Sequence, residues 1–304
     1  MFTSGRAIKD MDKIDGEANP WFQKWLQHPA FDQYYQAMVP VKQEYARINI
    51  PVLTITGYFD GGQISAIDYL TRHYKYNKGA DHTLLIGPYN HRTAQEKPSS
   101  HHSNYQLDDA ALEKDTEEVV FAWFDHILHG KTKPELLKDK VNYQLMGSNQ
   151  WRHAKSYSGL NAQSRTFHLA SVATPDNHYA LLNKPEANLE FVAQTVDMAD
   201  RTSEHNRTPW PVIQDQLNEP NGLIFMTEVF EQPRELAGAI TGHFSIAVNK
   251  KDVDIGYNFY EIDENGRAFH LNTYRSRASF AKDMSKRQLL TPNEKTIVPV
   301  VNAR

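Results

Sequence analysis

Residues 48–60 read INIPVLTITGYFD and residues 82–91 read HTLLIGPYNH. Each is a continuous run rich in β-branched and aromatic residues, the texture of a buried strand, and each meets a glycine shortly before it ends. Between them, ISAIDYLTRHY (64–74) has helical spacing and NKGAD (77–81) reads as a turn. Strand, helix, strand with apolar strands predicts a βαβ unit of a parallel sheet with a right-handed crossover. In such sheets ligands and reactive groups gather at the carboxyl ends of the strands. Asp60 follows the first strand and His91 the second, so the two should emerge side by side on one edge. A carboxylate there can accept the imidazole Nδ1–H, fix the tautomer and stabilise the imidazolium that forms when Nε2 takes a proton. Taken singly, Asp60 reads first as a helix cap and His91 as a residue of a polar loop. Two consecutive strands, each with a glycine near its end, carrying acid and then base, favour the paired reading.

Working outward, NPWFQKWLQHPAFDQYYQAM (19–38) predicts an amphipathic helix with Trp21, Phe22, Trp25 and Leu26 on one stripe, ended near His28 by Pro29. A second short helix carries Phe31, Tyr34 and Tyr35. After the second strand, DDAALEKDTEEVVFAWFDHILHG (108–130) predicts one long helix with an acidic start, a stripe of Val120, Trp123, Phe124, Ile127 and Leu128, and Gly130 as its stop. From Val141 the texture is short strands and turns: VNYQLMG, RTFHLA, AITGHFSIAV, IGYNFYEID, ENGRAFHLNTY and TIVPVV, with Asn265-Gly266 as the strongest hairpin signal. The expected organisation is α/β followed by an all-β part, a sandwich or jelly roll. The boundary falls near residues 131–140.

The chain has 304 residues with 33 Lys plus Arg against 37 Asp plus Glu, a formal charge of −4. That balance lacks the basic footprint of a nucleic-acid binder. No apolar run approaches the ~18 residues of a membrane helix. The absence of cysteine excludes a disulfide scaffold, a thiol nucleophile and a thiolate metal site. MFTSGRAIKDMDKIDGE has no apolar stretch of signal-peptide type. His82, His91, His101, His102, His126 and His129 crowd one region, and His126 and His129 share a helix face. A histidine at a helix C-terminus also stabilises the dipole, and with no H-E-x-x-H and no carboxylate trio the residues predict no metal site.

A nucleophile is missing. The nucleophile elbow G-x-S-x-G occurs nowhere in the chain. Ser4, Ser65 and Ser148 are the nearest candidates; Ser65 falls inside the helix after Asp60 and Ser148 in the β part, so each reads as structural.

The runs DKIDGEANPWFQKWLQHPAFDQYYQAM, IPVLTITGYFDGGQISAIDYLTRHY and LLIGPYNH together resemble the CocE/NonD hydrolases, which include cocaine-esterase-like enzymes, α-amino-acid ester hydrolases, glutaryl-acylase-like enzymes and X-Pro dipeptidyl peptidases. VNYQLMGSNQWRHA, NKKDVDIGYNFYEIDENGRAFHL and RSRASF resemble the β part of the same family. The resemblance implies the end of a helical cap over residues 1–45, the C-terminal part of an α/β-hydrolase domain over 46–135, and a β jelly roll over 136–304, with further strands expected beyond VVNAR. It implies Asp60 as triad acid and His91 as triad base, and no metal or organic cofactor. Tyr58, Phe59 and Tyr89 flank the pair and are candidates for a substrate pocket, or for core. The implied activity is acyl-enzyme hydrolysis of a small-molecule ester or amide, with X-Pro peptides included. The serine elbow and oxyanion donors are expected from an earlier region absent here, so this chain is expected to be inactive alone and to associate with the missing part or with itself. The competing reading is a non-catalytic binding or assembly module built on the jelly roll.

Overall fold

The computed structural model describes residues 2–161, 163–187, 190–197, 199–201, 209–219 and 222–300. The first helices are α1 (Met11–Asp15), α2 (Pro20–Gln27) and α3 (Gln33–Gln36). The Asn19 side chain caps α2 by accepting from the Phe22 N–H, and Pro20 occupies the first helical position, where its missing N–H costs nothing. The aromatic stripe on α2 is less buried than its spacing suggests: Trp21 and Trp25 are exposed.

The βαβ unit follows as β1 (Val52–Phe59), α4 (Gln63–Tyr76) and β2 (His82–Asn90). β1 and β2 pair in parallel from Val52↔His82 to Gly57↔Gly87. Period-two alternation sends Leu84 and Ile86 of β2 against Ile67 and Leu70 of α4, whereas Leu85 points to the other face. That other face is covered by α6 (Thr116–His129), which inserts Val119 and Trp123 beside Leu85, with Leu53 and Ile55 of β1 at the margin. The strand pair is therefore sandwiched between α4 and α6.

The long helix predicted over 108–130 is two helices, α5 (Asp109–Leu112) and α6, after a two-stranded hairpin of β3 (His101–His102) and β4 (Tyr105–Gln106). Asp115 makes the break, because its side chain caps α6 by accepting from the Glu117 N–H. Gly130 ends α6 in the left-handed conformation at φ 65°. The buried line on α6 is Thr116, Val119 and Trp123, and the Phe124 and Leu128 side of the predicted stripe is exposed.

β5 (Val141–Leu145), read from sequence as the first strand of the β part, instead pairs in parallel with β2, and β6 (Gln150–Ala154) pairs antiparallel with β5. The sheet order is β1-β2-β5-β6, so the sheet continues through the anticipated boundary. Val141, Asn142 and Gln144 are fully buried, as an interior strand requires.

The remaining chain forms β7 (His168–Ala173), β8 (Tyr179–Leu182), β9 (Ile213–Gln214), β10 (Phe225–Met226), β11 (Gly242–Ile246), β12 (Asp254–Ile262), β13 (Ala268–Arg277) and β14 (Thr296–Val300). They assemble into three small sheets, β10-β8-β7, β11-β14 and β12-β13-β9. Ala278, Leu290 and Val298 form the core of the last part, with Ile246 and Ile255 packed against it. The hairpin signal at Asn265-Gly266 lies in the β12–β13 turn, which is a five-residue loop rather than a two-residue one. The Asp263 carboxylate organises it by accepting from the backbone N–H groups of Asn265 and Arg267, and Gly266 takes φ 79°. The end of the TIVPVV run and the NAR that follows lie outside the described residues.

Candidate active site

What places Asp60 beside His91 is a pair of glycines. At Gly57 an added Cβ would lie 2.0 Å from the Tyr89 carbonyl oxygen, and at Gly87 it would lie 2.4 Å from the Tyr89 ring. Both distances are far inside van der Waals contact, so the two strand ends approach this closely only because neither position carries a side chain. The register then shifts, from Gly57↔Gly87 to Phe59↔Asn90, and the next residue on each strand is Asp60 or His91.

His91 Nδ1 stands 3.2 Å from Asp60 Oδ1. Asp60 Oδ1 also accepts from the Gly62 N–H at 2.9 Å, and its Oδ2 accepts a longer bond from the Thr56 hydroxyl. The carboxylate is thereby held by the turn that begins α4, and its side chain is only 11% exposed, whereas that of His91 is 83% exposed. An imidazole bonded through Nδ1–H to a carboxylate keeps its Nε2 lone pair for an incoming proton. The His91 backbone is fixed by an Asx turn: Asn90 Oδ1 accepts from the N–H groups of Arg92 and Thr93, and the Asn90 N–H donates to the Thr93 hydroxyl. Sequence reading missed Thr56, Gly62, Asn90 and Thr93 as supports, although N-H-R-T is a recognisable Asx pattern.

The three flanking aromatics separate. Tyr58 packs against the α4-side core and donates its hydroxyl to the Gln144 carbonyl at 2.6 Å, and burial raises its pKa. Tyr89 is fully buried, its ring folded over Gly87, and burial raises its pKa too. Both are core side chains. Phe59 stacks on His102 with centroids 3.9 Å apart, and Trp210 meets the same imidazole edge-on at 5.8 Å. Tyr105, tilted against Phe59 at 6.5 Å, stacks in turn on Phe269 of β13 at 4.9 Å. Phe59 therefore ties the acid-bearing strand to the β part.

The other singled-out groups have local partners. Ser148 donates to the Leu145 carbonyl, and the Ser4 hydroxyl accepts from the Arg6 N–H. Ser65 is exposed on α4. His126 Nδ1 bonds the Lys131 carbonyl beyond the helix end, and His101 Nδ1 pairs with the Ser100 hydroxyl. Among the described residues no three His, Asp or Glu side chains converge as a metal site would require.

Asp60 and His91 thus meet at adjacent carboxyl ends of a parallel sheet, and a β-rich part follows them. Residues 137–300, more than half of the chain, match the family described as the X-Pro dipeptidyl-peptidase C-terminal non-catalytic domain, and the chain belongs to that family. The match begins after Asp60 and His91, which lie outside it. Cocaine esterase of Rhodococcus sp. (strain MB1 Bresler) is 21% identical over 272 residues, covering 84% of this chain and 46% of that protein. An aminopeptidase from a marine sediment archaeon (Thaumarchaeota archaeon) superposes with a TM-score of 0.72 at 19% identity, over 95% of this chain and 50% of that one. An α-amino acid ester hydrolase superposes with a TM-score of 0.68 at 19% identity, over 98% of this chain and 52% of that one. The chain is thus CocE/NonD-like, as its sequence resemblance implied, and it spans about half the length of the relatives it matches.

Proposed function

We propose that this chain supplies the acid and base of a serine hydrolase that cleaves esters or amides through an acyl-enzyme. The observation that carries the reading is the 3.2 Å bond between His91 Nδ1 and Asp60, with the imidazole open to solvent on its far side. His91 Nε2 takes the proton from a serine hydroxyl as that oxygen attacks the substrate carbonyl, and returns it to the leaving group when the tetrahedral intermediate collapses. Water then repeats the sequence on the acyl-enzyme. Asp60 orients the imidazole and stabilises its cation. Acyl esters, acyl amides and X-Pro peptides are the substrate class in view, and we read the β part as a jelly roll that packs beside the hydrolase half.

The serine comes from a polypeptide segment other than the elements described. β1 is an edge strand, bonded among the described residues to β2 alone, and beside it lies a groove of about 370 Å³ lined by Leu53, Ile55, Ala94, Thr116, Val120 and Phe121. An extended strand with apolar residues at alternate positions suits that edge, and it would bring the nucleophile-bearing part of the sheet next to Asp60. The alternative, a non-catalytic assembly module, draws on the description of the matched domain.

The test is hydrolysis of p-nitrophenyl butyrate with fluorophosphonate labelling read by intact mass. The purified chain should show neither turnover nor adduct. Supplied with a nucleophile-bearing partner segment it should turn over, and His91→Ala should lower that rate by about 10⁴-fold. A stoichiometric adduct on the chain alone would overturn the shared-site reading. Turnover in the assembled enzyme that is indifferent to His91→Ala would overturn the dyad and favour the assembly module.

A further inference from the structure

A second pair of titratable groups lies on the α4 side of the sheet, and the hydrolase reading does not use it. His73 of α4 and His82 at the start of β2 are 1% and 2% exposed, and their Nδ1 atoms are 3.1 Å apart. His73 Nε2 is 3.0 Å from the Ile48 carbonyl oxygen, so it must carry a proton and donate. His82 Nε2 stands 2.8 Å from the Thr54 hydroxyl. The chain of bonds thus runs from the segment before β1, through α4 and β2, to β1 itself.

Proton counting sets what this chain tolerates. When both rings are neutral, His82 Nδ1–H donates to His73 Nδ1, and His82 Nε2 accepts from Thr54. One added proton is also accommodated: whichever ring takes it, the two Nδ1 atoms still share a single proton, and the Thr54 hydroxyl turns to accept from His82 Nε2. A second added proton is not, because two N–H groups would then face each other across 3.1 Å. Among the described residues nothing charged bonds either ring to relieve that clash. The hydroxyl of Tyr74 on α4 bonds both the backbone N–H and the carbonyl of His82. Lys140 lies 4.4 Å over the Tyr74 ring, and Asp81 and Asp139 act on that tyrosine. Among the described residues, no carboxylate bonds either imidazole.

We propose that His73 and His82 form an acid-opened latch that holds residues 42–49 against α4. The held segment is a short 3-10 turn, Lys42–Arg47, leading to Ile48. Its Tyr45 is buried against Tyr69 and Tyr76 of α4, and the Ile48 carbonyl takes a second bond from the Asn77 side chain at 2.9 Å. Double protonation drives the rings apart, the His73–Ile48 bond is lost, and the segment lifts with Tyr45. Burial and the neighbouring His73 push the His82 pKa down from 6.5 to about 4. The open form therefore binds the proton more tightly than the closed one. The latch is fully closed above pH 6.5 and loses its hold as the pH falls from there toward about 4. This inference is independent of the hydrolase reading.

Amide hydrogen exchange across the whole chain, corrected for intrinsic rates, tests it. Between about pH 7.5 and about pH 5, the opening of residues 42–49 should rise about thirtyfold, while β12 and β13 stay protected. In His82→Gln, which keeps a donor and an acceptor but cannot titrate, the rise should disappear. A rise that persists in this variant, or one shared by β12 and β13 as in global unfolding, overturns the latch. Should the variant fail to fold, imidazole NMR titration of the unsubstituted chain still decides. Two separate steps, the lower one coinciding with loss of protection at 42–49, support the proposal, whereas both rings titrating together with the segment still protected overturns it.

Discussion

Asp60 and His91 share one hydrogen bond but contribute very differently to folding. Asp60 is mostly buried and satisfies three donors, the Gly62 N–H, the Thr56 hydroxyl and His91 Nδ1. Asp60→Ala would remove the acceptor of the Gly62 N–H ahead of α4 and leave the part-buried Thr56 hydroxyl unpaired, which should cost about 1–3 kcal/mol of stability. His91→Ala removes a side chain that is 83% exposed and should change stability by less than about 0.5 kcal/mol. Urea unfolding of the two variants checks this: a lowered midpoint for the first and an unmoved one for the second. His91 is thus cheap to remove from the fold yet pinned by an Asx turn on one side and a carboxylate on the other, which is the arrangement the proposed base requires. The juxtaposition of Asp60 and His91 was legible because each follows a strand that carries a glycine near its end. The fates of Tyr58 and Tyr89 were not. Tyr58 is drawn inward by the Gln144 carbonyl 86 positions away, and Tyr89 by the space left at Gly87 on its own strand and at Gly57 on β1, so each fate depends on a partner from a remote stretch of sequence.

At the scale of the element, those glycines do what the dyad needs. Gly57→Ala would push a methyl group into the Tyr89 carbonyl at 2.0 Å, and backbone cannot yield as a flexible side chain does. We expect a loss of about 2–4 kcal/mol, read as a shift of the urea midpoint. Gly256→Ala in β12 is the matched control: no atom lies within 4 Å of its added Cβ, so stability should move by less than about 0.5 kcal/mol. The βαβ unit itself was readable from period and composition, since each strand must be apolar on both faces between α4 and α6. The break between α5 and α6 was hidden by a helical pattern that runs across it, and only Asp115, which turns its carboxylate to the Glu117 N–H, decides the matter. β5 lies inside the matched 137–300 domain, yet it bonds into the α/β sheet, which its sequence did not reveal. Its alternation of apolar and polar residues suits a β sandwich, but Asn142 and Gln144 are buried and bonded inside the α/β sheet, where burial of amides depends on partners 58 and 36 positions away.

At the scale of the whole molecule, the apolar surface is distributed unevenly. α6 buries Val119 and Trp123 against the sheet but leaves Phe121, Phe124 and Leu128 at 65%, 46% and 68% exposure. Phe121 lies in the same groove as Leu53 and Ile55, alongside the open edge of β1. The predicted stripe placed Phe124 and Leu128 in the core because helical periodicity reports that a side is apolar and cannot report whether the same chain covers it. Exposed apolar side chains beside an open strand edge suit contact with other protein. They also give a direct measurement. The isolated chain should enhance 1-anilinonaphthalene-8-sulfonate fluorescence well above an ordinary folded monomer of its size, with cooperative unfolding retained. Replacing the outward residues, in the double variant Phe121→Glu and Phe124→Glu, should cut that enhancement by more than about half at an unchanged midpoint, because exposed side chains contribute little to the fold. If the dye signal instead survives the double variant and fades only with unfolding, the dye-binding surface is elsewhere, and the groove beside β1 loses its claim as the docking edge proposed for a nucleophile-bearing segment.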